Sequence, residues 1–215
     1  MQNFVLAIIG QKGGIGKTTF AYNLYERIKR DEDSAMLIDC DDDQYSSADL
    51  SCIRKENNIL PHLEVINMPA EKLGGAIVDL SKQYKVIIIE FGGTIKKEMK
   101  LAVEVADKII MPLQPTMLDA RTIVKVEKKL LSFKDSGVPA IIVPNRVKTN
   151  KQLNYLLDAK DSLEYFTLSE CCIGDRISIQ SSFDDGRSIF EIQEMPDSKK
   201  AINEFEQLYK EVFYE

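Results

Sequence analysis

The sequence is poor in the residues that staple or metallate small proteins. It has no tryptophan, a single histidine (His62) and four cysteines, at positions 40, 52, 171 and 172, none in C-x-x-C spacing. Such a set is badly arranged for a zinc or iron–sulfur centre, so free, buried thiols are expected. Long apolar runs are also missing. FVLAII near the start and VIII at 86 to 89 are strand-sized, whereas a bilayer span needs roughly 20 residues. No membrane association is expected. The opening MQNFVLAIIGQKGG has no basic stretch before its apolar one and no A-x-A-like site after it. No signal peptide is read there, and a cytoplasmic location is expected.

What remains is ordinary in bulk and uneven in detail. The 215 residues, 44% hydrophobic and 29% charged, suit one globular domain over residues 1–215 that buries a full core without staples. A formal charge of -6 argues against a protein that coats nucleic acid by bulk charge. Yet residues 121 to 151 hold eight Lys or Arg against two acids, while residues 158 to 215 hold six basic against fourteen acidic side chains. The mean charge hides a polarity.

Short apolar blocks rich in Val and Ile recur at 4–9, 35–38, 63–66, 85–89, 108–113 and 140–143. They read as six strands buried on both faces. Helix-length segments lie between them. Phe20, Leu24 and Ile28 stand four apart within residues 17–30, and Leu118, Ile123, Val126, Leu130 and Phe133 share one face among lysines. The alternation predicts an α/β fold, a doubly wound, mostly parallel sheet flanked by helices, with ligands beyond the carboxyl ends of the strands. A closing helix is expected over residues 201–213, through Ile202, Phe205, Leu208, Tyr209 and Val212. Its polar face is acidic, unlike a helix that lies on anionic lipid.

The most informative run is GQKGGIGKTT, residues 10 to 19, which leaves the first strand and opens the first helix. Gly13, Gly14 and Gly16 let backbone amides, including that of Ile15, wrap phosphate oxygens, and the helix points its positive end at the same anion. Lys17 reaches the β and γ phosphates, the Thr18 hydroxyl is a ligand for Mg²⁺, and Thr19 donates near the α phosphate. A glycine-rich turn without ligand is the alternative, disfavoured by the joint register of strand, glycines, lysine, threonine and helix. Glycine is absent at position 11, where the general motif wants it, and Lys12 follows.

KGGIGKTT resembles the deviant Walker A motif of the ParA/MinD group of P-loop ATPases, most of all the small plasmid-partition ParA proteins. The resemblance implies that Lys12 crosses an ATP-sandwiched homodimer to the partner's nucleotide; a solvated loop lysine is the plainer alternative. LIDCDDDQ, residues 37 to 44, is similar to the family's D-x-D-P-Q segment. By that likeness Asp39 holds the Mg²⁺ shell and Asp41 positions the attacking water, although Asp42 and Asp43 replace proline and glutamine. On residue chemistry alone the run reads equally well as a polar turn opening a helix. KVIIIEFGG, residues 85 to 93, puts Glu90 where the family has the Walker B aspartate, with Gly92 and Gly93 placed to follow the γ phosphate. IIVPNRV, residues 141 to 147, resembles the strand whose asparagine lies by the adenine, here Asn145, followed by Arg146.

The function this likeness implies is a ParA-like partition ATPase using ATP and Mg²⁺. ATP closes a homodimer, the dimer binds DNA without sequence preference and associates with the nucleoid, and a small centromere-binding, ParB-like adaptor stimulates weak basal hydrolysis, segregating plasmid or chromosomal DNA. Lys125, Lys128, Lys129, Lys134, Lys148 and Lys151 are the candidate phosphate contacts, with Arg176, Arg187, Lys199 and Lys200 as alternatives. A solvated helix face is the bland reading of any one of them. The competing functions are a MinD-like ATPase that positions a cellular assembly, opposed by the acidic tail, and a metabolic NTPase of the same fold, opposed by Lys12 and the missing C-x-x-C.

Overall fold

The computed structural model describes residues 3–10, 13–32, 34–41, 46–92 and 95–214. Among them, seven strands form one parallel sheet in the order β3-β2-β4-β1-β5-β6-β7. The strands are β1 (Phe4–Ile8), β2 (Ala35–Cys40), β3 (Val65–Asn67), β4 (Val86–Phe91), β5 (Lys108–Leu113), β6 (Ala140–Pro144) and β7 (Phe166–Leu168). Eight helices connect and follow them: α1 (Lys17–Asp31), α2 (Ser46–Glu56), α3 (Leu73–Gln83), α4 (Ile95–Val105), α5 (Met117–Leu130), α6 (Asn150–Lys160), α7 (Ile177–Asp184) and α8 (Ser198–Tyr214).

The six expected strands are present, and β7 is an addition. It spans three residues at the sheet edge and contributes one fully buried side chain, Phe166, too little to raise a periodicity signal. Its start is held by an acid on α5: Glu127, 2% exposed, accepts backbone N–H groups from Glu164 and Tyr165 at 2.8 and 2.6 Å. The closing helix begins three residues earlier than the apolar spacing suggested and docks through Ala201, Phe205, Leu208, Tyr209 and Val212. Ile202 lies at its margin.

The central strands read as near-continuous apolar runs because both faces are covered. On one face Leu6, Ile8, Leu37 and Ile88 pack against Phe20, Leu24 and Ile28 of α1 and Phe205 and Leu208 of α8. On the other, Ile38, Ile87 and Ile89 join Leu73 of α3, Met99 of α4 and Val126 of α5. The expectation of buried thiols is corrected in part. Cys40 and Cys171 are buried, but Cys52 is exposed, because it falls on the outer side of α2, away from Leu50 and Arg54.

Strand register then places the site. Asn67, Asp39, Glu90 and Ile8 stand side by side across β3, β2, β4 and β1. Side chains in one row of a parallel sheet share a face, so Asp39 and Glu90 project side by side near the carboxyl edge, beside the strand that feeds the phosphate loop. The winding reverses around β1, whose two neighbours come later in the chain. Open α/β sheets leave a ligand crevice at such a point.

Candidate nucleotide and metal site

Gly16 ends the loop that leaves β1 and caps α1 with φ 107° and ψ 19°, a left-handed conformation that penalises residues with a Cβ. The space a Cβ would take is filled by the Asn145 amide. Asn145 follows β6 and is 3% exposed; its Nδ2 donates to the Ile15 carbonyl at 2.7 Å, and its backbone N–H donates to the Leu113 carbonyl at 2.8 Å. The phosphate loop is thus clasped from the end of β6, two strands away in the sheet. Lys17, Thr18 and Thr19 form the first turn of α1, whose N–H groups lack intrahelical acceptors and carry the positive end of the helix dipole.

Below that turn lies a set of oxygens. Thr18 Oγ1 donates to Glu90 Oε1 at 2.6 Å, and Ser47 Oγ donates to Glu90 Oε2 at 2.5 Å. Lys17 Nζ is 3.8 Å from Asp41 Oδ2. Asp39 is fully buried and accepts backbone N–H groups from Asp41 and Ser47 at 3.0 Å each and from Ala48 at 3.4 Å. Asp39 therefore anchors the start of α2 as well as standing beside Glu90, so the helix-opening reading of this acidic run holds for that residue.

The electrostatics are unbalanced. Burial pushes the Glu90 carboxyl up to about 7 and the adjacent Asp39 charge adds to the rise, against the opposing hydroxyl hydrogen bonds and Lys17. Burial raises Asp39 as well, opposed by its backbone N–H partners. Two neighbouring acids in a dry site call for a cation. The oxygens that line the cavity here, from Thr18, Asp41 and Glu90, form a donor set that suits Mg²⁺. Among the described residues no three His, Cys, Asp or Glu side chains are grouped to cage a metal.

A cavity of about 360 Å³ opens over this chemistry, floored by Gly14, Gly16, Lys17 and Thr18, walled by Asp41, Ser46, Asp49 and Glu90, and rimmed by Arg146 and Phe183. A second, of about 230 Å³, shares Thr19, Arg146 and Phe183 with the first and continues past Asn145, Gly174 and Ile179. The two together make one cleft that runs from the Lys17–Thr18 turn past Arg146 to Asn145 and Gly174. Arg146, exposed and with φ 55°, stands where they meet.

The chain matches the CobQ/CobB/MinD/ParA nucleotide-binding domain over residues 6–185. It belongs to that family. This ParA/MinD-family chain is also similar to solved structures. One is a ParA family ATPase from Chlorobium tepidum TLS, at 18% identity over 94% of this chain and 96% of that one, with a TM-score of 0.70. Another is the septum site-determining protein MinD from Pyrococcus horikoshii OT3, complexed with Mg-ADP, at 17% identity over 100% and 97% of the two chains, TM-score 0.74. A third is a candidate plasmid partition protein (BB_S35) from Borrelia burgdorferi B31 bound to AMPPNP, at 15% identity over 98% and 100%, TM-score 0.71. These likenesses establish the shared fold. No curated protein matches the chain.

Of the residues singled out in the sequence, Gly14, Gly16, Lys17, Thr18, Thr19, Asp41, Glu90, Asn145 and Arg146 border the two cavities. Gly13 and Ile15 belong to the loop, and Asp39 lies behind Glu90 rather than on the cavity wall. Lys12 lies outside the described residues, as do Asp42, Asp43, Gln44 and Gly93. Several contributors were not singled out in the sequence, among them Ser46, Asp49 and Gly174 on the cavity walls, Ser47 and Phe183. Ser47 touches Glu90, and Phe183 borders both cavities. Ser47 had a signal in the paired serines after the acidic run; Phe183 had none, since its place depends on the return of the chain through α7.

Proposed function

We propose that the chain is a ParA-like partition ATPase. The observation that carries hydrolysis is the Thr18, Glu90, Ser47 cluster at the phosphate end of the cleft, with Lys17 and Asp41 facing each other above it. Lys17 and the α1 N-terminus bind the β and γ phosphates, and Thr18 and Glu90 hold Mg²⁺ with Asp39 behind them. Bound there, the ion supplies charge neutralisation on the phosphate oxygens. Asp41 orients water toward the γ phosphate. Asn145 and Arg146 hold the base end. Lys12, delivered by a second copy across the nucleotide, adds positive charge as hydrolysis proceeds and makes turnover depend on the homodimer.

The partition role is supported by the basic middle of the chain. Lys125, Lys128 and Lys129 on α5, Lys134 after it, Lys148 just before α6 and Lys151 in its first turn are all exposed. Lys134 and Lys148 face Glu164 and Asp175 at 3.8 and 3.4 Å, so the α5 lysines are the stronger DNA candidates. A ParB-like adaptor that stimulates turnover completes this reading.

Retention of duplex DNA by the full chain, with ATP and with ADP at two salt concentrations, is the test. ATP-dependent retention that falls steeply with salt is expected. Equal, negligible retention in every condition overturns the partition role and leaves a MinD-like positioning ATPase as the next reading.

A further inference from the structure

We infer that Ser47 is a positioning residue of the metal site. It fixes the Glu90 carboxylate and ties that carboxylate to the start of α2. The inference rests on the reading of Thr18 and Glu90 as Mg²⁺ ligands. Glutamate has one more rotatable bond than aspartate and, left alone, would spread its carboxylate over several rotamers. Here both oxygens are engaged, Oε1 by Thr18 and Oε2 by Ser47. A threonine hydroxyl can donate its proton to a carboxylate and offer a lone pair to a cation at once. The Thr18 contact therefore survives metal loading, while the Ser47 contact decides which way the carboxylate faces.

Ser47 is also a two-sided link. Its hydroxyl holds Glu90 on β4, and its backbone N–H holds Asp39 on β2 at 3.0 Å. The residue is fully buried, so water does not substitute for its hydroxyl. Ser46 and Asp49 of the same helix turn line the phosphate end of the cavity. A shift of the α2 start is thereby passed to Glu90 through one short hydrogen bond, and a change in the metal shell is passed back to the wall around the γ phosphate.

The experiment measures binding of a fluorescent ATP analogue to the full chain with Mg²⁺ and with EDTA. In the wild type, Mg²⁺ should tighten binding. Ser47→Ala should reduce that tightening by about tenfold, the effect of one charge-assisted hydrogen bond, while leaving binding in EDTA within twofold. In a Glu90→Gln background, Ser47→Ala should add no further loss of Mg²⁺ dependence. An unchanged Mg²⁺ effect in Ser47→Ala, or an equal loss in both backgrounds, overturns the inference. If Ser47→Ala does not fold, Ser47→Cys, close in volume and a weaker donor, should show a partial loss, and full Mg²⁺ dependence there overturns it too. A wild type whose affinity ignores Mg²⁺ overturns the metal-site reading itself.

Discussion

Two buried polar clusters lie on the same face of the sheet, and they are built on opposite principles. In the first, Asp39 and Glu90 face hydroxyls and backbone amides, with Lys17 as their nearby cation. In the second, Arg54 of α2, with a fully buried side chain, meets Glu191 through two hydrogen bonds of 2.7 and 2.8 Å, and gives Nε to the Pro61 carbonyl at 2.7 Å. Gly186 lies against it with φ 73°, so close to the α2 backbone at Leu50 and Arg54 that a Cβ would overlap it. The second cluster is electrically complete. Burial pushes Glu191 up, yet the Arg54 hydrogen bonds bring it below the usual carboxylate range; burial and the Asp39 charge push Glu90 up, and the Ser47 and Thr18 hydroxyls and Lys17 do not bring it back down. A closed cluster holds the fold together, and an open one stores charge that a ligand must answer.

The difference is broken most sharply by deleting one charge from each cluster. Arg54→Met leaves Glu191 buried without its cation and should cost ~3 to 5 kcal/mol in urea unfolding, whereas replacing the pair together, Arg54→Met with Glu191→Leu, should recover most of that loss. Glu90→Gln should do the reverse: near pH 8 it removes an unfavourable buried charge, and the nucleotide-free protein should unfold no more easily than the wild type. Destabilisation of similar size in both variants would erase the distinction.

A pH series sharpens the same contrast with a smaller effect. The folded chain keeps the Glu90 proton up to about pH 7, whereas the unfolded chain loses it near 4.5. The contribution is thus fully present below 4.5 and is lost as pH rises toward 7, about 3 kcal/mol at most. Glu90→Gln should flatten that part of the stability curve. Saturating Mg-nucleotide, which prefers the ionised carboxylate, should stabilise the wild type increasingly across the same window, and a pH-independent ligand effect would contradict this account.

Much of this was legible in the chain because it is local. The strand into KGGIGKTT, the glycines and the Lys17–Thr18 pair lie within fifteen residues, and hydrophobic blocks of four to six residues declare themselves without tertiary help. β7 was not legible, since FTL draws its order from Glu127, 39 residues from Phe166. Arg54 was equally hidden: in sequence it is one basic residue near a helix end, where a solvated lysine or arginine is usual, and only the return of residues 186 to 191 buries it. Ser47 lay between. Its position after the acidic run marked a helix start, but its tie to Glu90 required knowing that β2 and β4 are neighbours in register.

The smallest expected effect on stability separates the clusters most cleanly by function. Lys17→Ala deletes a cation from the open cluster as Arg54→Met does from the closed one. Lys17 is 10% exposed on its side chain and 3.8 Å from Asp41, too far for a strong hydrogen bond, so its loss should move the unfolding free energy by less than about 1 kcal/mol. Mg-ATP affinity should nonetheless fall by about 10- to 100-fold, the worth of a charged hydrogen bond to phosphate. The same deletion also removes the positive charge that holds Glu90 down, so the midpoint of the Glu90-dependent pH transition should shift upward in this variant. Titrating unfolding midpoints of Lys17→Ala against pH reads both consequences at once: a stability close to wild type at low pH, and a transition displaced to higher pH. A large stability loss at every pH would place Lys17 with Arg54 among the residues that hold the fold.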